Sequence, residues 1–446
     1  MKKNASTYEG RLDGLILFRF GLILKQGGGI EEHLNSVDRL LLERNDMIII
    51  RAFINELHEN ASINIDCFGR GRLLWVPVEP IEPSSSMKPT NISPFLRLLF
   101  PSLAHNLNSL FSRILYASMK KSGFRKKAWL YNQCQGLISQ LRLLHEKYRI
   151  QLVVLHTLFG VDEAEIINES IKLGIPFSVI YHFESKRLTH PVERMMIKRS
   201  VAIGVVSNIG IPEKLRNRVY TIIEGVDGDY FQLEKSSNVG FRKENKLIFM
   251  PGRIHPLKGQ ADAVRALEII SQKNIKVVLA LAGRVSSEAA YSELNNVINR
   301  IKSSKQVLLL GELDKEKLRD WYAASDLVIL PSYSEAVGRT LIEAQLMKRP
   351  VIAYNTGGVS GAMIDGITGF LVEKGNINEL ALRIEQLLND ESLRNKMGEA
   401  GRDFAIKNYS LQEMVESHEE LYLQAITNQE LKTKKPDTKT RFTKAG

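Results

Sequence analysis

Two series of short apolar runs, separated by stretches of helical periodicity, constrain this chain more than any other feature. The first comprises residues 14–20, Met47–Ala52, Leu152–His156, Phe177–Tyr181 and Ala202–Val206. The second opens with Leu247-Ile-Phe-Met250 and continues through Val277–Ala282, Val307–Leu310, Leu327–Leu330 and Pro350–Tyr354. A strand that is apolar at every position is buried on both faces, as in a parallel sheet covered by helices on either side. The rhythm therefore predicts an α/β fold of two doubly wound domains, and 446 residues suffice for two cores of ordinary size. Thr221-Ile-Ile-Glu-Gly225 reads as the last strand of the first series entering a linker, so the expected domains are residues 1–225 and 226–409. Ser410 is a good N-cap for the apolar-periodic segment Leu411–Ala425, which predicts a terminal helix over 410–428. The basic stretch 429–446 has no period and predicts a disordered tail. Pro77, Pro80, Pro83 and Pro89 predict a loop.

Lys and Arg number 61 against 50 Asp and Glu, a formal charge of +11. That balance favours anionic partners, but no nucleic-acid module is recognisable, so nucleic acid is not an expected one. Cys67 and Cys134 have no Cys-x-x-Cys or Cys/His ligand spacing around them, which argues against a disulfide framework and a zinc site. The first residues lack the apolar core of a leader, and no segment reaches the ~18 uninterrupted apolar residues of a membrane span. A cytoplasmic protein, soluble or peripheral on the inner face of the membrane, is the expectation. The basic, aromatic-punctuated stretch Pro94–Arg149 has two readings: helices that hold an anionic membrane surface, or a core-facing helix pair with a solvated basic face.

The chemistry concentrates between Ser332 and Gly358. Leu327–Leu330 reads as a buried parallel strand ended by Pro331-Ser332, so the next loop lies at the carboxyl end of a sheet, where open α/β folds bind ligands. Ser-Tyr-Ser-Glu335-Ala-Val-Gly338-Arg339-Thr340-Leu-Ile-Glu343 then runs from loop into helix. Gly338 permits close backbone approach, and the amides around Gly338, Arg339 and Thr340 suit phosphate or sugar oxygens. Eight residues of continuous helix would separate Glu335 from Glu343 by about 12 Å, against about 5 Å for the carboxyl pair of a retaining glycosidase. The two read instead as separate hydrogen-bond acceptors. Upstream, Pro251-Gly-Arg253-Ile-His-Pro-Leu-Lys258-Gly259 places two permanent cations after another strand, where they can stabilise a departing diphosphate.

With Arg253, Lys258, Glu335, Glu343 and the Gly357-Gly358 turn in this order, residues 246–388 resemble the nucleotide-sugar-binding domain of GT-B glycosyltransferases, specifically glycosyltransferase family 4. The resemblance implies two Rossmann-like domains facing a cleft, with a C-terminal helix returning to the first. It implies retaining transfer of a sugar from a nucleoside-diphosphate sugar to the hydroxyl of a saccharide or lipid-linked acceptor, in bacterial surface polysaccharide or glycolipid synthesis. By the same resemblance Glu335 meets the donor sugar's hydroxyls, Glu343 the ribose, and Arg253 with Lys258 the diphosphate. His182, which ends the run Pro176-Phe-Ser-Val-Ile-Tyr-His182, matches a family histidine near the donor sugar, and His156 ends its strand similarly. Lys25-Gln-Gly27-Gly28-Gly29 lacks a full G-x-G-x-x-G and reads either as a tight turn or, by resemblance, as a loop whose Gly28 and Gly29 approach donor phosphates or acceptor. No cofactor and no metal are expected; Asp227-Gly-Asp229 looks like a metal-binding D-x-D but lies in an interdomain segment that GT-B relatives also carry.

The sequence departs from the family at Gly361, where relatives usually carry a glutamate after the Gly-Gly turn, at Lys348-Arg349, where a glycine is common, and at Glu224, where many have asparagine. Two other readings stay open on these grounds: a GT-B-fold nucleotide-sugar epimerase, and a non-catalytic nucleotide-sugar-binding or membrane-scaffold protein.

Overall fold

The computed structural model describes residues 12–20, 29–54, 64–78, 138, 140–157, 161–182, 197–207, 213–241, 244–273 and 275–434. The chain divides into two compact units, the first formed by residues 1–205, 210–222 and 415–446 and the second by residues 206–209 and 223–414.

Among the described residues the first unit is built on an eight-stranded sheet. In chain order its strands are β1 (Ile16–Phe20), β2 (Ile48–Ile54), β3 (Asn64–Phe68), β4 (Gly71–Val78), β5 (Leu152–Thr157), β6 (Phe177–Tyr181), β7 (Ile203–Val205) and β8 (Val219–Thr221). The spatial order is β3-β4-β2-β1-β5-β6-β7-β8. All neighbours are parallel except the β3–β4 hairpin. Helices α1 (Gly29–Arg44) and α2 (Val161–Lys172) follow β1 and β5. Every residue of β6 and β7 is buried, as a strand covered on both faces must be. Phe18, Ile50, Val153, Leu155, Val179 and Ile203 share one core, each contributing about 1.5–3 kcal/mol by leaving water.

Pro77 corrects the loop expectation: it lies within β4, in register with Phe53 of β2. Proline in a strand lacks the N–H of a ladder residue, so it is tolerated only where that hydrogen bond is not called for. Pro80, Pro83 and Pro89 lie outside the described residues.

The second unit holds a six-stranded, wholly parallel sheet. Its strands are β9 (Lys246–Pro251), β10 (Val277–Ala282), β11 (Val307–Gly311), β12 (Leu327–Leu330), β13 (Val351–Tyr354) and β14 (Gly369–Val372), in the order β11-β10-β9-β12-β13-β14. Helices α3 (Gln260–Ser271), α4 (Glu288–Arg300), α5 (Lys315–Ala324), α6 (Arg339–Leu346), α7 (Ile377–Asn389) and α8 (Glu391–Asn408) complete the winding. Side-chain caps set several starts: Ser287, Asp314, Asn376 and Asp390 each accept a backbone amide of the first turn.

Strand order in this sheet reverses direction between β9 and β12, which pair directly at Ile248–Leu327 and Phe249–Val328. The connections leaving their carboxyl ends diverge there and open a crevice, the place where doubly wound sheets bind ligands.

Helix α9 (Leu411–Lys434) begins where Ser410 Oγ accepts from the Glu413 amide, and from Val415 onward it belongs to the first unit. Leu421, Tyr422 and Ala425 are buried there, and Asn428 donates to the Val201 carbonyl. The helix continues past residue 428 to Lys434, because Gln, Glu, Leu and Lys propagate it and no breaker intervenes before Pro436.

Candidate functional site

Two loops meet at the crevice of the second unit. The loop after β9 carries Arg253 and Lys258 and turns at Gly259, whose φ of 75° is left-handed and whose Cβ, were there one, would stand 1.9 Å from the Pro331 carbonyl oxygen. Only glycine lets the β9 loop lie that close to the end of β12. Tyr333 seals the approach by donating its amide to the Leu257 carbonyl at 2.8 Å.

This contact brings Lys258 and Glu335 together, 77 positions apart in sequence, with Nζ 2.5 Å from Oε1. Both are partly buried, so the pair is shielded from the full screening of water. Arg253 is exposed beside them, its carbonyl fixed by Gln260 Nε2 at 2.9 Å. The Glu335 carbonyl in turn accepts from the Gly358 amide at 3.1 Å, which draws the Gly357-Gly358 turn into the same cluster.

Gly338, at φ 88°, caps α6 without a side-chain bond, and the first turn of that helix begins at Arg339 and Thr340. They sit at the positive end of its dipole, a setting that suits an anion or sugar oxygens. Glu343, one turn further, is 9% exposed. Its Oε2 accepts from the Tyr322 hydroxyl at 2.9 Å and its Oε1 from Arg339 Nε at 3.1 Å. Burial, then the Glu343 charge and bond, push the Tyr322 phenol well above its usual range, so it stays a donor. Beneath the loop, Tyr333 and Tyr354 both donate to Asp262 Oδ2, at 2.6 and 2.9 Å.

Asp227 Oδ1 accepts from the amides of Asp229 and Tyr230, both at 3.0 Å, so this carboxylate serves a local turn. Gly361 ends the turn at 357–361, and its carbonyl accepts from Tyr409 at 2.7 Å. Among the described residues no three His, Cys, Asp or Glu side chains form a group that could hold a metal ion.

Of the residues the sequence singles out, the second unit thus gathers Arg253, Lys258, Glu335, Gly338, Arg339, Thr340 and Glu343 on two neighbouring loops. His182 lies in the first unit, at the carboxyl end of β6, 4% exposed, with its Nε2 2.8 Å from His156 Nδ1. Gly29 opens α1, whereas Gly28 and most of Pro94–Arg149 lie outside the described residues. No described helix is long and apolar enough to cross a membrane. Sequence reasoning missed Tyr322, which reaches Glu343 from a different helix without any local signal, and Gly259, which the Lys-Gly pair after a strand did offer.

Residues 231–404 match the family model for glycosyl transferases group 1. A capsular polysaccharide biosynthesis glycosyltransferase of Staphylococcus aureus is 28% identical over 259 residues, 57% of this chain and 67% of that one. A D-inositol 3-phosphate glycosyltransferase of Catenulispora acidiphila is 33% identical over 182 residues, 39% of this chain and 43% of that one. The chain thus spans two thirds of the length of the first and under half of the second. Among solved structures, a glycosyltransferase of Rickettsia africae superposes with a TM-score of 0.64 at 20% identity, over 93% of this chain and 99% of that one. Anabaena HepE, solved with UDP and glucose, gives 0.63 at 17% identity, over 91% and 98%.

Proposed function

We propose that this chain, a GT-B glycosyltransferase with a glycosyl transferases group 1 domain at residues 231–404, moves a sugar from a nucleoside-diphosphate sugar to an acceptor hydroxyl with retention and without a metal ion. The observation that supports the reading is the pairing of the β9 and β12 loops, with Lys258 against Glu335 at 2.5 Å in the loop that leads into α6. A departing diphosphate gains negative charge as the sugar bond breaks, and a cation held in place favours that state over the ground state. Lys258 and Arg253 supply the charge a divalent ion would otherwise bring, with the α6 amides as further donors. Glu335, hydrogen-bonded to Lys258, takes the sugar's hydroxyls in this reading as the ammonium turns to phosphate. Glu343 takes the ribose, and His182 contributes one hydrogen bond to the substrates. The leaving phosphate itself accepts the acceptor's proton, so no separate side-chain base is needed.

The Staphylococcus relative is named for capsular polysaccharide synthesis, which supports a saccharide or lipid-linked acceptor in a bacterial surface polymer. The test is metal-free turnover of a panel of nucleoside-diphosphate sugars, with and without membrane lipid extract, following nucleotide release and labelled sugar together. Coupled release and incorporation is the expected result, and Lys258→Ala should lower it by two orders of magnitude or more, about 3 kcal/mol of lost transition-state stabilisation. Because the Lys258–Glu335 pair is partly buried, the same variant should lose about 1.5–3 kcal/mol of stability, the loss of one hydrogen bond to a charged group. Near-normal turnover by Lys258→Ala sinks the reading, and product formed from donor alone replaces transfer with isomerisation.

A further inference from the structure

Lys258 and Glu335 come from loops 77 positions apart, and the first turn of α3 holds both loops. Gln260, 4% exposed, fixes the β9 loop by donating from Nε2 to the Arg253 carbonyl at 2.9 Å. Asp262, two residues on and equally buried, reaches the β12 loop, where its Oδ2 accepts from the Tyr333 hydroxyl at 2.6 Å. Tyr333 is 36% exposed, so a solvent-facing residue of the loop ends on a buried carboxylate.

Asp262 suits that task. It stands in the first turn of a helix, where the dipole favours an anion, and Arg265 Nη1 lies 3.0 Å from its Oδ1. Tyr354 of β13 donates to the same Oδ2 as Tyr333, at 2.9 Å. A hydrogen bond to a carboxylate is roughly twice as strong as one between neutral groups. That bond, with burial, raises the Tyr333 phenol above its usual range, so the proton stays on the donor.

Tyr333 is held by side chain and backbone alike. Its ring meets Tyr354 edge-on, with centroids 5.8 Å apart, and its amide donates to the Leu257 carbonyl at 2.8 Å. Leu257 adjoins Lys258, and Glu335 follows Tyr333 by two residues, so the anchored tyrosine stands beside both members of the pair. On the far side, the Glu335 carbonyl accepts from the Gly358 amide. A diphosphate that draws the ammonium away from Glu335 breaks the side-chain bond between the loops, and these anchors then keep the loops together.

We propose that Asp262 and Tyr333 are positioning residues for the transfer: Asp262 fixes the Tyr333 hydroxyl, and Tyr333 keeps Glu335 and Lys258 in place while the donor replaces the bond between them. The proposal rests on the reading of that pair as contacts of the donor.

The experiment compares Tyr333→Phe with Tyr354→Phe in the full-length chain. Each removes one hydroxyl from the same carboxylate oxygen and keeps its ring, but Tyr333 lies on the loop and Tyr354 on a strand. With no donor present, hydrogen exchange read by mass spectrometry should be about tenfold faster over residues 253–259 and 331–338 in Tyr333→Phe, and unchanged there in Tyr354→Phe. With the donor that the parent turns over, Tyr333→Phe should lower kcat roughly tenfold while KM stays within about twofold, part of the hundredfold that a misplacement of about 1 Å can cost. In a Lys258→Ala chain the same substitution should cost less than about twofold, because the group it positions is gone. Parental exchange or parental kcat in Tyr333→Phe, an equal loss in Tyr354→Phe, or a tenfold loss that persists without Lys258 each overturns the proposal. Near-normal turnover by Lys258→Ala removes instead the reading of the pair on which it stands, as does a parent chain that turns over no donor of the panel.

Discussion

Replacing Tyr322 by Phe removes one hydroxyl and leaves the ring packed edge-on against Phe249 and Phe231, with centroids 5.2 and 6.1 Å away. The cost should therefore be polar alone. Tyr322 is 0% exposed and Glu343 only 9%, so water does not replace the lost bond. A hydrogen bond to a charged group contributes about 1.5–3 kcal/mol, and because Arg339 still holds the other oxygen the expected loss is about 2 kcal/mol. In a unit of this size that loss lowers the melting temperature by roughly 4–8 °C. A second signature appears in alkali. Burial, then the charge and bond of Glu343, raise the Tyr322 pKa well above 10.0. Above pH 10 the unfolded chain has lost this proton while the folded chain keeps it, so stability is complete below that pH and falls as pH rises, by ~1.4 kcal/mol per unit for one tyrosine. Tyr322→Phe should lose that component of the alkaline slope. Scanning calorimetry of both chains at neutral and alkaline pH measures both effects. A variant with the parent's melting temperature and the parent's alkaline slope would refute the view that this bond fixes Glu343.

The other expectations concern backbone space and buried charge. Gly259→Ala should cost roughly 3 kcal/mol or more, the left-handed φ of 75° and the collision with the Pro331 carbonyl acting together, as read from the urea midpoint. Gly361→Glu should stay within about 1 kcal/mol of the parent by the same assay, because a Cβ there meets nothing nearer than the Tyr409 hydroxyl at 3.8 Å. Arg19→Met should destabilise by about 3 kcal/mol, since Asp38 would remain fully buried with Arg51 as its counter-charge; a melting temperature equal to the parent's would contradict the burial of that network.

What the sequence made legible was what depends on neighbours along the chain. The parallel strands announce themselves because covered strands are buried at every position and so almost wholly apolar, as β7, β12 and β13 are throughout and β6 is but for Ser178. The β3–β4 hairpin does not, because β3 is an edge strand that mixes Asn64, Asp66 and an Ile65 left 56% exposed. In the site, Lys258, Glu335, Gly338 and Glu343 could be placed because strand ends and helix starts are local events. Their partners could not: Tyr322 and Glu343 meet only after α5 and α6 pack, and Arg19 meets a tyrosine 403 positions away. His182 was read as a strand-end histidine, and nothing near it in sequence foretold a cluster with His33, His156 and His418.

The return of α9 also sets the order in which this chain can finish folding. Arg19 emerges from the ribosome among the first residues, but the hydroxyl that accepts from it belongs to Tyr422, 403 positions later. At 5–20 residues per second that interval lasts roughly 20–80 s. Throughout it Arg19 waits for its α9 partner, while the six-stranded unit is contiguous but for residues 206–209 and needs nothing made after residue 414. The Arg19–Tyr422 bond is therefore among the last contacts of the first unit that synthesis makes possible.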